Sequence, residues 1–170
     1  EQVCAAFSTL DGGYILGGSS NSEKSPEVKA GKDPFGKWED GFGNLDFWAV
    51  KLDNKGKIEW QRTIGGEYVD QLRSILQTRD GGYLLAGYSN SPESGNKTEK
   101  CYGLGDYLVV KLDKDGNTEW QKSYGGDGDD QPYALMESYD GNFVIAGNSN
   151  SGPTGNKTSS NKRGTDFWIL

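Results

Sequence analysis

The chain contains no histidine. Imidazole general-base catalysis and histidine ligation of metals are therefore excluded outright. There are two cysteines, Cys4 and Cys101, and this pair cannot build a CxxC-type metal site. They either bridge as a disulfide or stand as two free thiols, and the sequence leaves both open. No apolar run approaches the ~18 residues of a membrane-spanning helix, so insertion into a membrane is not expected. The first residues do not read as a signal peptide, so none is expected within this sequence. The first residue is Glu1 rather than methionine, which predicts that a leader or a larger upstream segment has been removed. Positive charge is in deficit, with 18 Lys and Arg against 25 Asp and Glu and a formal net charge of −7. That balance disfavours nucleic acid as a partner and favours solubility. Hydrophobic residues make up only 33% of the chain, which on its own would suit disorder.

What is present argues the other way. Five Trp, nine Tyr and 26 Gly suit short strands and tight turns in which bulky rings supply most of the burial. These residues recur. Asp46-Phe47-Trp48 returns as Asp106-Tyr107-Leu108 and as Asp166-Phe167-Trp168, each time after 60 residues. Trp60 and Trp120, and Gly65-Gly66 and Gly125-Gly126, keep the same step. Asp11-Gly12-Gly13-Tyr14 returns at Asp80 after 69 residues and at Asp140 after 60 more, so the first copy carries nine extra residues between Tyr14 and Asp46. Self-similarity at a fixed period marks an array of one supersecondary unit.

One repeat reads strand by strand. Asp106–Leu112 is rich in β-branched and aromatic residues, as a mostly buried strand should be. Asp113-Lys114-Asp115-Gly116-Asn117 is a polar turn, and Thr118–Tyr124 alternates as the second strand of a hairpin. Gln131–Ser138 and Asn142–Gly147 form a second hairpin about the Asp140-Gly141 turn. No segment holds a 3.6-residue apolar period, so no helix is expected. Two hairpins in about 60 residues make a four-stranded antiparallel unit, the size of a β-propeller blade.

Strings such as DFWAVKLDNKGKIEWQRTIGGEYVDQ and GDYLVVKLDKDGNTEWQKSYGGDGDDQ resemble the bacterial β-propeller repeat of secreted and surface proteins. The resemblance covers essentially the whole chain. It implies an all-β, propeller-like array of four-stranded antiparallel blades and a secreted or cell-surface location, and it is nearly silent on activity. About 2.75 repeats are present in one repeat domain spanning 1–170: a partial blade and long loop at 1–45, repeat units at 46–105 and 106–165, and the start of another blade at 166–170. The expected strand count is eleven, too few to close a ring of at least four blades. The chain is therefore expected to be part of a longer one, or to share blades with identical copies. Unpaired edges carrying Val3, Phe7, Phe167, Trp168 and Ile169 would template such association.

Candidate sites lie in three long loops, about 20–45, 90–105 and 150–165, each opening with Ser-Asn-Ser. Loops on one face of a repeat array are where binding usually resides. Asn96, Lys97, Asn156 and Lys157 offer amides and ammonium groups to glycan hydroxyls or a polar protein surface. Phe35, Trp38 and Phe42 in the enlarged first loop could stack on sugar faces or pin the loop. The alternative is that the loops are long turns satisfying their own backbone. Asp127, Asp129 and Asp130 form the densest oxygen cluster and are the candidates for calcium; otherwise no cofactor is expected. Asp113-x-Asp115-Gly116 lacks the spacing and the twelfth-position glutamate of an EF-hand. The recurring Asp46, Asp106 and Asp166 are read as caps on backbone amides. Asn96-Lys97-Thr98 and Asn156-Lys157-Thr158 match the glycosylation sequon, which repetition explains without glycosylation. No catalytic residue is assigned. The expected function is a secreted or surface-exposed bacterial binding or structural module, adhesive through its repeated loops and not an enzyme. The alternative is a carbohydrate-active enzyme, with a carboxylate pair at work, or its carbohydrate-binding accessory domain.

Overall fold

The computed structural model describes residues 1–29, 36–162 and 164–170. Its strands are β1 (Gln2–Ser8), β2 (Tyr14–Ser20), β3 (Asp46–Leu52), β4 (Ile58–Ile64), β5 (Asp70–Gln77), β6 (Tyr83–Ser89), β7 (Asp106–Leu112), β8 (Thr118–Tyr124), β9 (Asp130–Glu137), β10 (Phe143–Ser149) and β11 (Asp166–Ile169). The eleven strands are those expected from the sequence. One helical turn, α1 (Pro26–Lys29), lies in the first long loop, where no helix was anticipated.

The strands form three antiparallel sheets, ordered β1-β2-β3-β4, β5-β6-β7-β8 and β9-β10-β11. Each hairpin read from the sequence is present, but the hairpins are grouped differently from the 46–105 and 106–165 units. Strands β4 and β5 belong to different sheets. The long loops instead join neighbouring strands of one sheet, with Ser20 opposite Asp46, Ser89 opposite Asp106 and Ser149 opposite Asp166. A period measures the length of a unit and not where it starts, and backbone pairing across a long loop leaves no side-chain mark in the sequence.

Local chemistry sets the turns. Asp53 Oδ1 accepts hydrogen bonds from the amides of Lys55 and Lys57, and Asp113 Oδ1 from those of Asp115 and Asn117. Gly56 and Gly116 sit at φ of +80°, where a side chain would be strained. The acidic Asp113–Asp115 segment is thus turn chemistry. A bulge interrupts β1, β5 and β9 at the equivalent residues Cys4, Arg73 and Tyr133. A bulged residue is freed from the strict alternation of the ladder, which accounts for three unrelated side chains at one repeat position.

Two cores fill the spaces between the sheets. Ile15, Phe47, Ala49, Trp60 and Ile64 of the first sheet meet Leu72, Ile75, Tyr83, Leu85, Leu108, Val110 and Leu112 of the second. Leu84, Ala86, Tyr107 and Val109 on the other side of the second sheet meet Ile145 and Trp168 of the third. The middle sheet is covered on both faces, which is why β7 reads as a continuous apolar run instead of alternating. Each such ring or branched chain stabilises the fold by roughly 1.5–3 kcal/mol. Lys51 and Lys111 run through this apolar layer and end in ion pairs with Asp11 and Glu59, and with Asp80 and Glu119.

The aromatic residues at one repeat position, Phe47, Tyr107 and Phe167, do not share one environment. Phe47 and Tyr107 are 0% exposed, whereas Phe167 is 88% exposed. Trp168, anticipated on an open edge, is buried and packs against Tyr107 with ring centroids 4.9 Å apart.

Candidate loop-face site

The long loops do not hang free. The second and third grip the backbone that leaves the preceding sheet. Asn90 Oδ1 accepts from the Val69 amide (2.9 Å), Ser91 Oγ from Tyr68 (3.0 Å), Ser94 Oγ from Glu67 (2.9 Å) and Asn96 Oδ1 from Gly65 (3.0 Å). Asn96 Nδ2 donates to the Thr63 carbonyl at 2.8 Å. The next loop repeats the clasp: Asn150, Ser151, Thr154 and Asn156 accept from the amides of Asp129, Gly128, Asp127 and Gly125, and Asn156 Nδ2 donates to Ser123 O. Ser-Asn-Ser and Gly-Asn-Lys-Thr are therefore the parts of an inter-sheet clasp. The hydrogen-bonding capacity of Asn96 and Asn156 is taken up inside the chain.

The lysines of the motif are buried. Lys157 Nζ donates to the carbonyls of Ser151 (2.9 Å) and Ser159 (2.7 Å), and Lys97 Nζ to that of Glu99. Burial pushes Lys97 below the ordinary lysine range, opposed by the nearby carboxylates of Asp70 and Asp106. Lys37 is the third member: its Nζ donates to Ser22 O at 2.5 Å, and burial lowers it likewise. Sequence reasoning missed Lys37, although it lies one 60-residue step before Lys97.

Beneath the clasp lie paired carboxylates. Asp46 Oδ2 accepts from the Phe42 amide (2.8 Å), Asp106 Oδ2 from Tyr102 (2.6 Å) and Asp166 Oδ2 from Lys162 (2.6 Å), the capping role expected of them. Asp70 and Asp130 accept from the Gly66 and Gly126 amides and from the Ser91 and Ser151 hydroxyls. Their crowding explains the Gly-Gly steps: a Cβ on Gly65 would lie 2.1 Å from Asp46 Oδ1, and one on Gly125 would lie 2.0 Å from Asp106 Oδ1. Burial raises Asp46 and pushes Asp106 up to about 6, with the Asp130 carboxylate adding to the latter.

The calcium candidates are not brought together. Asp127 accepts from Thr154 Oγ1 and the Gly152 amide, Asp129 from Gln131 Nε2, and Asp130 faces the interior. Among the described residues no group of three or more Cys, Asp or Glu is arranged to hold a metal ion. Both cysteines are free, and burial raises both thiols, Cys101 to about 11, away from a reactive thiolate.

The aromatics of the first loop fare differently. Phe35 lies outside the described residues. Trp38 is half-buried, its amide donating to Gln61 Oε1 at 3.3 Å. Phe42 is 42% exposed and stands on Gly95 of the next loop, where a Cβ would come 2.8 Å from its Cβ and Cγ. Tyr102 repeats the arrangement on Gly155, with Lys100 Nζ 4.7 Å above its ring centroid. Tyr68 and Leu104 join them at this end of the sheets, 48% and 69% exposed. The sequence reading missed Tyr102, whose one signal was its 60-residue step from Phe42. Phe42, Tyr68, Tyr102 and Leu104 are thus exposed or half-exposed apolar side chains carried by the connections at this end of the sheets. No family model matches the chain, and no curated protein matches it.

Proposed function

We propose that the chain is a secreted or surface-exposed bacterial binding module whose three sheets are propeller-like blades, and that it binds glycan on its loop face without turning it over. The observation that carries this reading is the exposure of Phe42, Tyr68, Tyr102 and Leu104 on connections at the loop end of the sheets. Such side chains offer flat apolar area to sugar faces, and Phe42 and Tyr102 are seated on Gly95 and Gly155 before ligand arrives, which lowers the ordering cost of binding. The resemblance to the bacterial repeat of secreted and surface proteins supports the location. Glycan-array screening followed by calorimetry on the hits tests the reading. Phe42→Ala and Tyr102→Ala should each weaken binding by at least tenfold, and retention of full affinity in both variants would overturn the loop-face assignment.

A carbohydrate-active enzyme is the second reading, favoured by one observation: burial beside Asp130 pushes the Asp106 carboxyl up to about 6, and a raised carboxylic acid suits general-acid chemistry. Hydrolysis assays on the same glycans, with Asp106→Asn as the control, separate the two. Turnover abolished by that substitution would replace the binding reading with the enzymatic one.

A further inference from the structure

The sheets of this chain meet through one repeated contact, and its two halves are left uncovered at opposite ends of the array. At the first interface the ring of Phe47 ends against Gly87 of the second sheet, where a Cβ would lie 2.6 Å from its Cζ. At the second, the Tyr107 hydroxyl ends against Gly147 of the third sheet, 2.5 Å from the corresponding position. An aromatic knob on one sheet thus enters a glycine-floored socket on the next.

By repeat position the next knob is Phe167 and the remaining socket glycine is Gly18. Phe167 is exposed, as is Ile169 (64%), the equivalent of the buried Ala49 and Val109. Met136 is exposed on the same sheet face, and Val144 and Ala146 are only partly covered there. Around Gly18, the first sheet presents an open groove of about 500 Å³ lined by Val3, Leu16, Trp48, Val50 and Leu52. Their counterparts Leu72, Leu85, Leu108, Val110 and Leu112 are all buried under the first sheet. Among the described residues nothing covers this knob or this socket, and they are the same surfaces that already pack against each other twice within the chain.

We propose that the Phe167 face of the third sheet docks into the Gly18 groove of a second copy of this chain, repeating head to tail the contact that joins its own sheets. A repeated amide-to-side-chain hydrogen bond accompanies each interface. The Leu10 amide donates to Gln77 Oε1 across the first interface and the Arg79 amide to Glu137 Oε2 across the second; the matching pair between copies is the Tyr139 amide and Ser8. Tyr139 is 95% exposed and Ser8 is exposed. The contact is heterologous, so it ends in a ring where the rotation between copies closes and continues as a filament where it does not.

Sedimentation velocity and light scattering on the 170-residue chain over a dilution series test this. The expected result is a mass of twice the monomer or more at micromolar concentration, reverting to monomer in Phe167→Asp and, on the opposite surface, in Val50→Arg, with unchanged strand circular dichroism. Ile169→Lys, on the knob face, serves should either variant misfold. Mixing Phe167→Asp with Val50→Arg leaves one intact socket and one intact knob, and should yield a 1:1 dimer. A wild-type chain that stays monomeric overturns the proposal. So does a Phe167→Asp chain that associates like the wild type, or a mixture that remains monomeric while the wild type assembles.

Discussion

Phe47 of the first sheet and Gly87 of the second are in such close register that the glycine has no room for a methyl group. A Cβ there would lie 2.2 Å from the Gln71 carbonyl oxygen and 2.6 Å from Phe47 Cζ. Gly87→Ala must therefore move either its own sheet's edge strand or the ring of the neighbouring sheet. Its expected cost is about 1–3 kcal/mol, the usual penalty of overpacking, measured by urea unfolding.

The same denaturation experiment distinguishes two phenylalanines at one repeat position. Phe47→Ala empties a fully buried site and should cost about 3–5 kcal/mol. Phe167→Ala removes an exposed ring and should stay within about 0.5 kcal/mol at concentrations where the chain is monomeric. Equal losses would mean that Phe167 is covered in the monomer.

Asn96 and Asn156 separate clasp from ligand site. Each amide serves one backbone donor and one backbone acceptor of the preceding sheet's exit. Truncation to alanine leaves both groups without their partner and should cost about 1–3 kcal/mol each. Glycan affinity, measured well below the unfolding midpoint, should stay within twofold of wild type. A large affinity loss with intact stability would return these residues to the binding surface.

Asp106 predicts a pH dependence. Its carboxyl stands at about 6 in the folded chain against 3.8 ordinarily, chiefly through burial, with Asp130 adding to the rise and Lys97 opposing it. Between those values the folded state holds more protons than the unfolded one. The stability this group contributes is therefore fully present below about pH 4 and is lost as pH rises through about 6. Asp106→Asn should flatten that fall and raise stability at neutral pH by on the order of 1–3 kcal/mol. Unfolding free energies of both chains across pH 4 to 8 provide the check, and parallel curves would contradict it.

Much of this fold was legible because its information is local. Alternation in Thr118–Tyr124, the run in Asp106–Leu112 and the Asp-Gly turns depend on residues a few positions apart, so strand positions and hairpins follow from the sequence alone. The capping of backbone amides by Asp46, Asp106 and Asp166 was legible for the same reason. The role of the long loops was not. Asn96 and Lys97 look like surface ligands until the loop is seen folded over the chain that leaves the neighbouring sheet.

The amino-acid sequence by itself determined eleven strands, their turns and a 60-residue period, since each rests on side chains speaking for their own backbone. Tertiary structure alone decided that the sheets begin at β1, β5 and β9, and that Phe47 is interior while Phe167 is exposed. Those outcomes turn on which strand pairs across a long loop and which sheet lies on which face. Backbone hydrogen bonds carry no residue code for the first, and burial of a repeated aromatic depends on a neighbour that its own repeat does not contain.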